Sequence, residues 1–226
     1  MANRISRKGM GEGSVTVRQV KLNEGVAEAL ALSLPEVRSM QALSPHEVEK
    51  MGVGVEERLM VKSVGDMTHS FSVLGKNIER KAQEIAGQQG REYKEGAISL
   101  GVVEIGVNAI KNGMKYSGEP VFIGWKLGPE VCEFTIIDSG KEDFDPLKYP
   151  RMTIEQLVEL PDVGVSGGHM GIRMLYGSIT PGEETEGLLR KEDIKWIPIR
   201  NEKGERIGTK VEFKARSTEK TTTSGK

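Results

Sequence analysis

Apolar residues recur at helical spacing over two long stretches of the chain and alternate with polar residues over several short ones. The first stretch, residues 66–90, carries one apolar side chain every one or two helical turns: Phe71, Leu74, Ile78 and Ile85. This spacing predicts a helix with Asp66 as its N-cap and Gly90 as its C-terminal stop. A second helix is predicted over about residues 93–113, and shorter helices over "TIEQLVEL" (153–160) and "MGIRMLYGSI" (170–179).

The alternating stretches predict strands. They are "ERLMVKSV" (57–64), "PVFIGWKL" (120–127), "VCEFTIID" (131–138), and a closing hairpin of "IKWIPIR" (194–200) and "IGTKVEFKA" (207–215) joined by the turn "NEKGER". The order is therefore strand, two helices, two strands, a loop, a helix and closing strands. This order predicts an α+β fold, a two-layer α/β sandwich whose mixed, mostly antiparallel sheet carries helices on one face.

The composition changes at both ends of the chain. Residues 1–55 form an N-terminal extension with helical patterns in "EGVAEALALSL" (24–34) and "EVRSMQAL" (36–43) and a helix-start signature at Ser44, Pro45 and Glu47. We expect the extension to pack on the main domain or on a partner. The main domain is predicted over residues 56–215, and the polar residues 216–226 are predicted to be a disordered tail.

Charge and cysteine content narrow the classes of function. The formal net charge of the 226-residue chain is −1, so no polyanionic partner such as nucleic acid is indicated. The single cysteine, Cys132, lies in an apolar run, which is typical of a buried thiol in a reducing compartment. The basic N-terminus lacks the apolar region of a secretory signal, and no apolar run is long enough to cross a bilayer. We therefore expect a cytoplasmic protein without membrane contact.

Two polar residues interrupt the apolar second helix. Glu104 and Asn108 lie one turn apart, on a line of the helix that begins with Ala97 and Gly101. Apolar side chains occupy the rest of the helix surface. The polar line is either the solvent-exposed face of an amphipathic helix or the floor of a pocket, where a carboxylate can act as a base and an amide oxygen can bind a hard cation.

Two further motifs favour the pocket. In "VCEFTIID", alternation places Asp138 on the same side as the apolar Cys132, Phe134 and Ile136, so its carboxylate points toward the core and needs a donor such as the adenine amino group. Gly140 follows in Asp-Ser-Gly, a sequence that is also common in ordinary turns. The glycine-rich "GVSGGHMGI" (164–172) leads into a helix and suits phosphate, although a merely flexible loop is an equal alternative.

Together with "GTKVEF" (208–213), these pieces resemble the four nucleotide-binding boxes of the Bergerat ATP-binding fold of sensor histidine kinases, type II topoisomerases, heat-shock chaperone ATPases and mismatch-repair ATPases. Within that superfamily, "DSGKEDFDP", with its Phe144-Asp145 pair, and "GGHMGIRML" most resemble the bacterial anti-sigma-factor and switch-protein serine kinases. The resemblance covers about residues 56–215. The segment 180–200 is longer than that family usually has.

The resemblance implies a role for each matching residue. Glu104 would be the general base, Asn108 would hold Mg²⁺ against the phosphates of ATP, and Asp138 would recognise the adenine amino group. The remaining nucleotide-binding residues it implies are Gly140, Gly167, Gly168, Met170, Gly171 and Thr209. Lys111, one turn beyond Asn108, could also reach a phosphate, or it is simply a solvated lysine. His169 stands where the family has glycine, and we interpret His69 as an ordinary helix-face residue.

The function implied is an ATP- and Mg²⁺-dependent serine/threonine protein kinase acting on a protein phosphoacceptor of the anti-anti-sigma type. A sigma factor as second partner and a homodimer are compatible with the resemblance. Two alternatives stay open, a non-catalytic nucleotide-dependent module that sequesters a partner and a histidine-kinase-like ATPase of another pathway. We also expect a mobile lid over residues 141–168, because polar residues and glycines surround a single short helical pattern there.

Overall fold

The computed structural model of the protein describes residues 24–34, 36–39, 64–117, 121–140, 145–160 and 170–220. In chain order the elements are α1 (Glu24–Ala31), β1 (Glu36–Ser39), α2 (Val64–Gly87), β2 (Arg91–Tyr93), α3 (Ala97–Ser117), β3 (Phe122–Lys126), β4 (Val131–Asp138), α4 (Ile154–Val158), α5 (Met170–Tyr176), β5 (Ile194–Arg200) and β6 (Arg206–Glu219). One-turn 3₁₀ helices at Tyr149–Arg151 and Lys191–Asp193 precede α4 and β5. None of these described helices has the length and apolar character needed to cross a membrane.

The described strands form one open antiparallel sheet of six strands. β1, β3, β4 and β6 lie side by side in this order, and β6 also pairs with β5 near its start and with β2 at its end. In the β4–β6 register Asp138 stands directly opposite Thr209. The predicted α+β class is thus confirmed, but each described strand pair is antiparallel, so the mixed sheet we expected is not found in this part of the chain.

Two helices, α2 and α3, cover one face of the sheet. Their apolar side chains form a single buried cluster with one face of β4 and β6: Phe71, Leu74, Ile78, Ile98, Val102, Ile105, Cys132, Phe134, Ile136, Val211 and Phe213. The rings of Phe134 and Phe213 stack at its centre with their centroids 4.5 Å apart. The helices approach closely at Gly106, where a β-carbon would lie 2.5 Å from the Phe71 ring. A side chain at residue 106 would push the two helices apart.

Helix α1 lies on the other face of the sheet. Its Val26 is fully buried in a second apolar cluster with Phe122 of β3, Ile137 of β4 and Ile199 of β5. Successive residues of a strand point to opposite faces, so Ile137 turns away from α3 and needs a cover on this second face. The prediction of helices on one face is therefore wrong for α1, which adds a third layer over this part of the sheet.

Several predicted element boundaries in the first half of the chain are wrong. α2 begins at Val64, so Asp66 lies within the helix and does not cap it, and the rest of the strand predicted over 57–64 lies outside the described residues. The helical pattern in "EVRSMQAL" begins as strand β1 because pairing with β3 supplies its hydrogen bonds; residues 40–43 lie outside the described part, as do Ser44, Pro45 and Glu47. Gly90 ends the turn after α2 with a positive φ of 67°, as a C-terminal stop should.

Two boundaries later in the chain also differ from the prediction. α3 spans Ala97–Ser117 and not 93–113, because Tyr93 belongs to β2, a three-residue strand that the sequence pattern did not reveal. β6 continues to Glu219, four residues beyond the predicted end of the domain at 215, because its last residues pair with β2. Residues 221–226 of the predicted tail lie outside the described part of the chain.

Candidate functional site

The direction of α3 across the sheet is set at its N-terminal end. Glu79 of α2 accepts a hydrogen bond from the backbone N–H of Gly96 at 2.9 Å and so fixes the residue before the helix. Just upstream, the Tyr93 hydroxyl donates to the carbonyl of Gly128 at 2.6 Å, beside the start of β4. α3 therefore begins where β4 begins and runs toward the end of the sheet where β4 finishes, at Asp138.

The face of α3 that carries Glu104 and Asn108 begins with two small residues that pack against the sheet and do not line an open pocket. Ala97 and Gly101 are both buried, and a β-carbon on Gly101 would lie 2.9 Å from the Phe213 ring. The small residue at position 101 thus allows the sheet to pack closely against α3. From Gly101 to Asn108 the helix rises about 10 Å, while β6 covers about 13 Å from Phe213 to Thr209. Asn108 therefore lies at the end of the sheet that contains Thr209.

Glu104 meets helix α5. Its side chain is half-buried, and a β-carbon built on Gly171 would overlap its carboxyl group. The backbone of α5 therefore rests directly on the Glu104 carboxylate, which only a glycine at residue 171 permits. Asn108, one turn further along α3, is half-buried as well. Glu104 thus lies at a helix–helix contact, and neither residue of the predicted pair is fully exposed.

Asp138 is buried with only 4% of its surface exposed, as the alternation in β4 predicts. Its Oδ1 accepts a hydrogen bond from the backbone N–H of Gly140 at 2.7 Å. Burial raises the pKa of Asp138 to about 7, while the Gly140 N–H and the positive charge of Arg206 oppose this rise. A carboxyl group with a pKa near neutrality, at the end of a buried strand, is suited to binding a polar group of a ligand.

Thr209 stands opposite Asp138 and is also buried. It accepts a hydrogen bond from Nη2 of Arg206 through its Oγ1, at 2.7 Å. Arg206 is not among the site residues predicted from the sequence. Residues three apart point to opposite faces of a regular strand, so no spacing rule would have brought Arg206 to Thr209.

A second arginine outside the predicted site residues connects α5 to the segment before α4. Arg173 is buried, and it donates to the carbonyl of Met152, to Oγ of Ser178 at 3.0 Å and to Oε2 of Glu183 at 2.7 Å. Thr180 donates to the same Met152 carbonyl at 3.0 Å. The segment 180–200, which is longer than the resembled family usually has, therefore supplies side chains that hold residues 150–152 against α5.

The other predicted site residues are placed as follows. Met170 is the first residue of α5 and is 40% exposed, and Gly140 is buried after β4. His69 lies on the exposed side of α2. The structure does not describe Gly167, Gly168, His169 or the side chain of Lys111, nor residues 141–144 and 161–168 of the predicted lid.

The side chains of Glu104 and Asn108 on α3 offer oxygen atoms that can bind a hard cation. Most of the other ligands of this cation would have to come from outside these two side chains. An Asn108 amide oxygen and a Glu104 carboxylate are oxygen ligands of the kind that Mg²⁺ prefers. Among the described residues no group of three or more His, Cys, Asp or Glu side chains could hold a metal ion by itself. A bound Mg²⁺ would therefore depend on phosphate oxygens and water for the rest of its coordination, as it does in many nucleotide sites.

The described residues thus bring Glu104, Asn108, Asp138 and Thr209 to one end of the α3-covered face of the sheet, with Gly171 against Glu104. Comparison with protein-family models, curated proteins and solved structures found no match to this chain.

Proposed function

We propose that the protein is an ATP-dependent serine/threonine protein kinase of the anti-sigma-factor or switch type. The observation that carries the proposal is the burial of Asp138 on the same face and at the same end of the sheet as Asn108 and Thr209. A buried carboxylate is costly unless it meets a hydrogen-bond donor, and the amino group of adenine is such a donor. In this proposal the partner is a protein phosphoacceptor, with a sigma factor as a second partner.

Each residue has one task in the proposed site. Asp138 binds the amino group of adenine, and Gly140 gives the base room to lie close to the backbone after β4. Asn108 holds Mg²⁺, which neutralises charge on the phosphates of the bound nucleotide. Gly171, near the start of α5, lies on the phosphate side, since it contacts Glu104.

Glu104 acts on the phosphoacceptor. Its carboxylate takes the proton of a serine or threonine hydroxyl as the hydroxyl oxygen bonds to the γ-phosphorus of ATP. The bond from that phosphorus to the β–γ bridging oxygen breaks, and ADP leaves. A positioned general base contributes about 10²- to 10⁴-fold to such a rate.

One observation favours the alternative of a nucleotide-dependent module that sequesters a partner without catalysis. The backbone of α5 covers one side of the Glu104 carboxylate, because a β-carbon on Gly171 would overlap it. With this side closed, a phosphoacceptor hydroxyl must approach from another direction or α5 must move. The sequestering module therefore keeps the nucleotide site described here and differs only in the role of Glu104.

The first experiment tests nucleotide binding by isothermal titration with Mg·ATP and Mg·ADP. Wild type should bind both, and Asp138→Asn should weaken binding at least about tenfold, because a carboxylate acceptor becomes an amide. Asp193→Asn is the matched control, since Asp193 is also a buried carboxylate but pairs with Arg216 near the far end of β6. Absence of binding to wild type, or equal losses in both variants, would refute the nucleotide site.

The second experiment separates the kinase from the sequestering module. The protein is incubated with γ-labelled ATP and a purified phosphoacceptor of the anti-anti-sigma type. A kinase should transfer the label, and Glu104→Gln should reduce the rate by about 10²-fold or more while nucleotide still binds. Glu95→Gln, an exposed carboxylate just before α3, should not change the rate. Binding without transfer in wild type would leave the sequestering module.

A further inference from the structure

Arg206 occupies the same corner of the molecule as Asp138 and Thr209, and the function proposed above gives it no role. Its Nη2 donates to Thr209 Oγ1 at 2.7 Å, and Thr209 is the cross-strand partner of Asp138. Its charge also opposes the rise in the pKa of the Asp138 carboxyl group. Three polar side chains from two neighbouring strands therefore lie together at the end where the adenine base would bind.

The turn between β5 and β6 holds Arg206 in this position. Oδ1 of Asn201 accepts hydrogen bonds from the backbone N–H groups of Lys203 and Glu205, at 3.0 and 2.9 Å. The pairing of β5 with β6 then shifts register between Ile199 and Arg200. Such an irregularity changes the direction of the neighbouring side chains. It accounts for the contact of Arg206 with Thr209, three residues away in the same strand.

The chemistry of a guanidinium group fixes the direction of the hydrogen bond. Arginine has donors and no acceptor, so Thr209 Oγ1 must be the acceptor. The hydroxyl hydrogen of Thr209 is then directed away from Arg206 and can donate to another group. Above its pKa of about 7, by contrast, the Asp138 carboxylate is ionised and only accepts hydrogen bonds. Together the two side chains present an acceptor beside a donor.

This arrangement of one acceptor and one donor is complementary to adenine and not to guanine. Adenine carries an amino donor at C6 beside the acceptor N1, so the amino group can meet Asp138 and N1 can meet the Thr209 hydroxyl. Guanine carries the acceptor O6 beside an N1–H donor, which would place two acceptors face to face at Asp138. A site built around such hydrogen bonds rejects a mismatched ligand strongly, because its buried polar groups lose their partners.

We propose that Arg206 is a positioning residue that selects adenine over guanine by fixing the direction of the Thr209 hydrogen bond. This inference rests on the proposed nucleotide site and adds a determinant of base specificity to it. Arg206 touches Thr209 and does not need to contact the base. Its effect should therefore be seen in the ratio of affinities for the two purines and not only in the affinity for one.

The test is isothermal titration of the full chain with Mg·ADP and Mg·GDP. Wild type should prefer ADP on the order of 100-fold or more. Arg206→Met should lower this preference at least about tenfold, and Arg206→Lys, which keeps a charged donor, should restore most of it. Arg200→Met is the matched control: Arg200 is the cross-strand partner of Arg206, is exposed and donates to the carbonyl of Gly204, so its loss removes the same charge from the same hairpin.

A second variant covers the outcome in which Arg206→Met is poorly folded. Thr209→Val removes the hydroxyl while keeping the shape of the side chain, and it should lower the ADP preference to the level of Arg206→Met. The double variant should then lose no further preference, since both changes remove one hydrogen bond. An unchanged ADP preference in Arg206→Met, or equal losses in Arg200→Met, would overturn the role of Arg206 while leaving the nucleotide site intact. Failure of wild type to bind either nucleotide would overturn both proposals.

Discussion

At the scale of single residues, Asp138 should make the stability of the protein depend on pH. Burial raises its pKa in the folded state to about 7, whereas an exposed aspartate titrates near pH ~4. Between these values the folded state binds more protons than the unfolded chain, so the free energy of unfolding falls as pH rises, by at most about 1.4 kcal/mol per pH unit. Asp138→Asn should remove this slope, as measured by urea unfolding from pH 4 to 7.

Asp193→Asn provides the control for that slope. Two hydrogen bonds from Arg216 hold the pKa of Asp193 below its usual range, so this carboxylate is ionised in both states above about pH 5. The substitution should lower stability by a similar amount at each pH between 5 and 7. A wild-type slope that survives in Asp138→Asn would show that the buried carboxyl group does not hold its proton in the folded state.

The periodic patterns of the sequence could predict which residues form the candidate site. They could not predict which other residues these contact in the fold. Helical spacing places Glu104 and Asn108 on one line, and strand alternation turns Asp138 inward, since both periodicities are local properties of the backbone. The contact of Glu104 with Gly171 depends on how two helices dock. Arg206 reaches Thr209 only through a register shift between two strands. Neither contact leaves a periodic signal in the sequence.

At the scale of elements, Arg173 should hold the segment before α4 against α5. Arg173→Met would remove hydrogen bonds to Met152, Ser178 and Glu183, and would leave the half-buried Glu183 without this partner. We expect a loss of about 2–3 kcal/mol in the free energy of unfolding. Amide hydrogen exchange should rise at Ile179, whose N–H donates to the carbonyl of Pro150 at 2.9 Å.

Arg151→Met is the matched control for Arg173. Arg151 lies in the same segment, but its ion pair with Asp145 is more than half exposed on both sides. Its loss should change stability by about 0.5 kcal/mol or less and leave exchange at Ile179 unaltered. If Arg173→Met behaved in the same way, the segment would be held by its backbone hydrogen bonds and not by the arginine.

Long elements with a clear period were predictable, and short ones were not. Both β4 and β5 match the predicted segments, because alternation over seven or more residues has few alternative interpretations. β2 has three residues and β1 has four, so neither carries enough alternation to be distinguished from a turn or a helix. Both exist because a neighbouring strand supplies their hydrogen bonds, which is a property of the fold and not of the segment.

At the scale of the whole molecule, the sheet connects the candidate site to the N-terminal extension. Asp138 faces α3, while the preceding residue, Ile137, faces α1 on the opposite side. The resemblance to the kinase family does not cover the extension, which was predicted only to pack on the domain or on a partner. On its opposite face, the end of β4 that carries Asp138 therefore packs against α1, a part of the chain that the resemblance does not cover.

Val26→Ala tests this support. Val26 is fully buried against Phe122, Ile137 and Ile199, so removing two methyl groups should lower the free energy of unfolding by about 1–2 kcal/mol in urea titrations. Hydrogen exchange should also rise at Ile137, because the loosened helix no longer covers the end of β4. Leu32→Ala, just beyond α1 and 74% exposed, should change stability by about 0.5 kcal/mol or less. Equal effects of the two variants would mean that α1 gives the sheet no support.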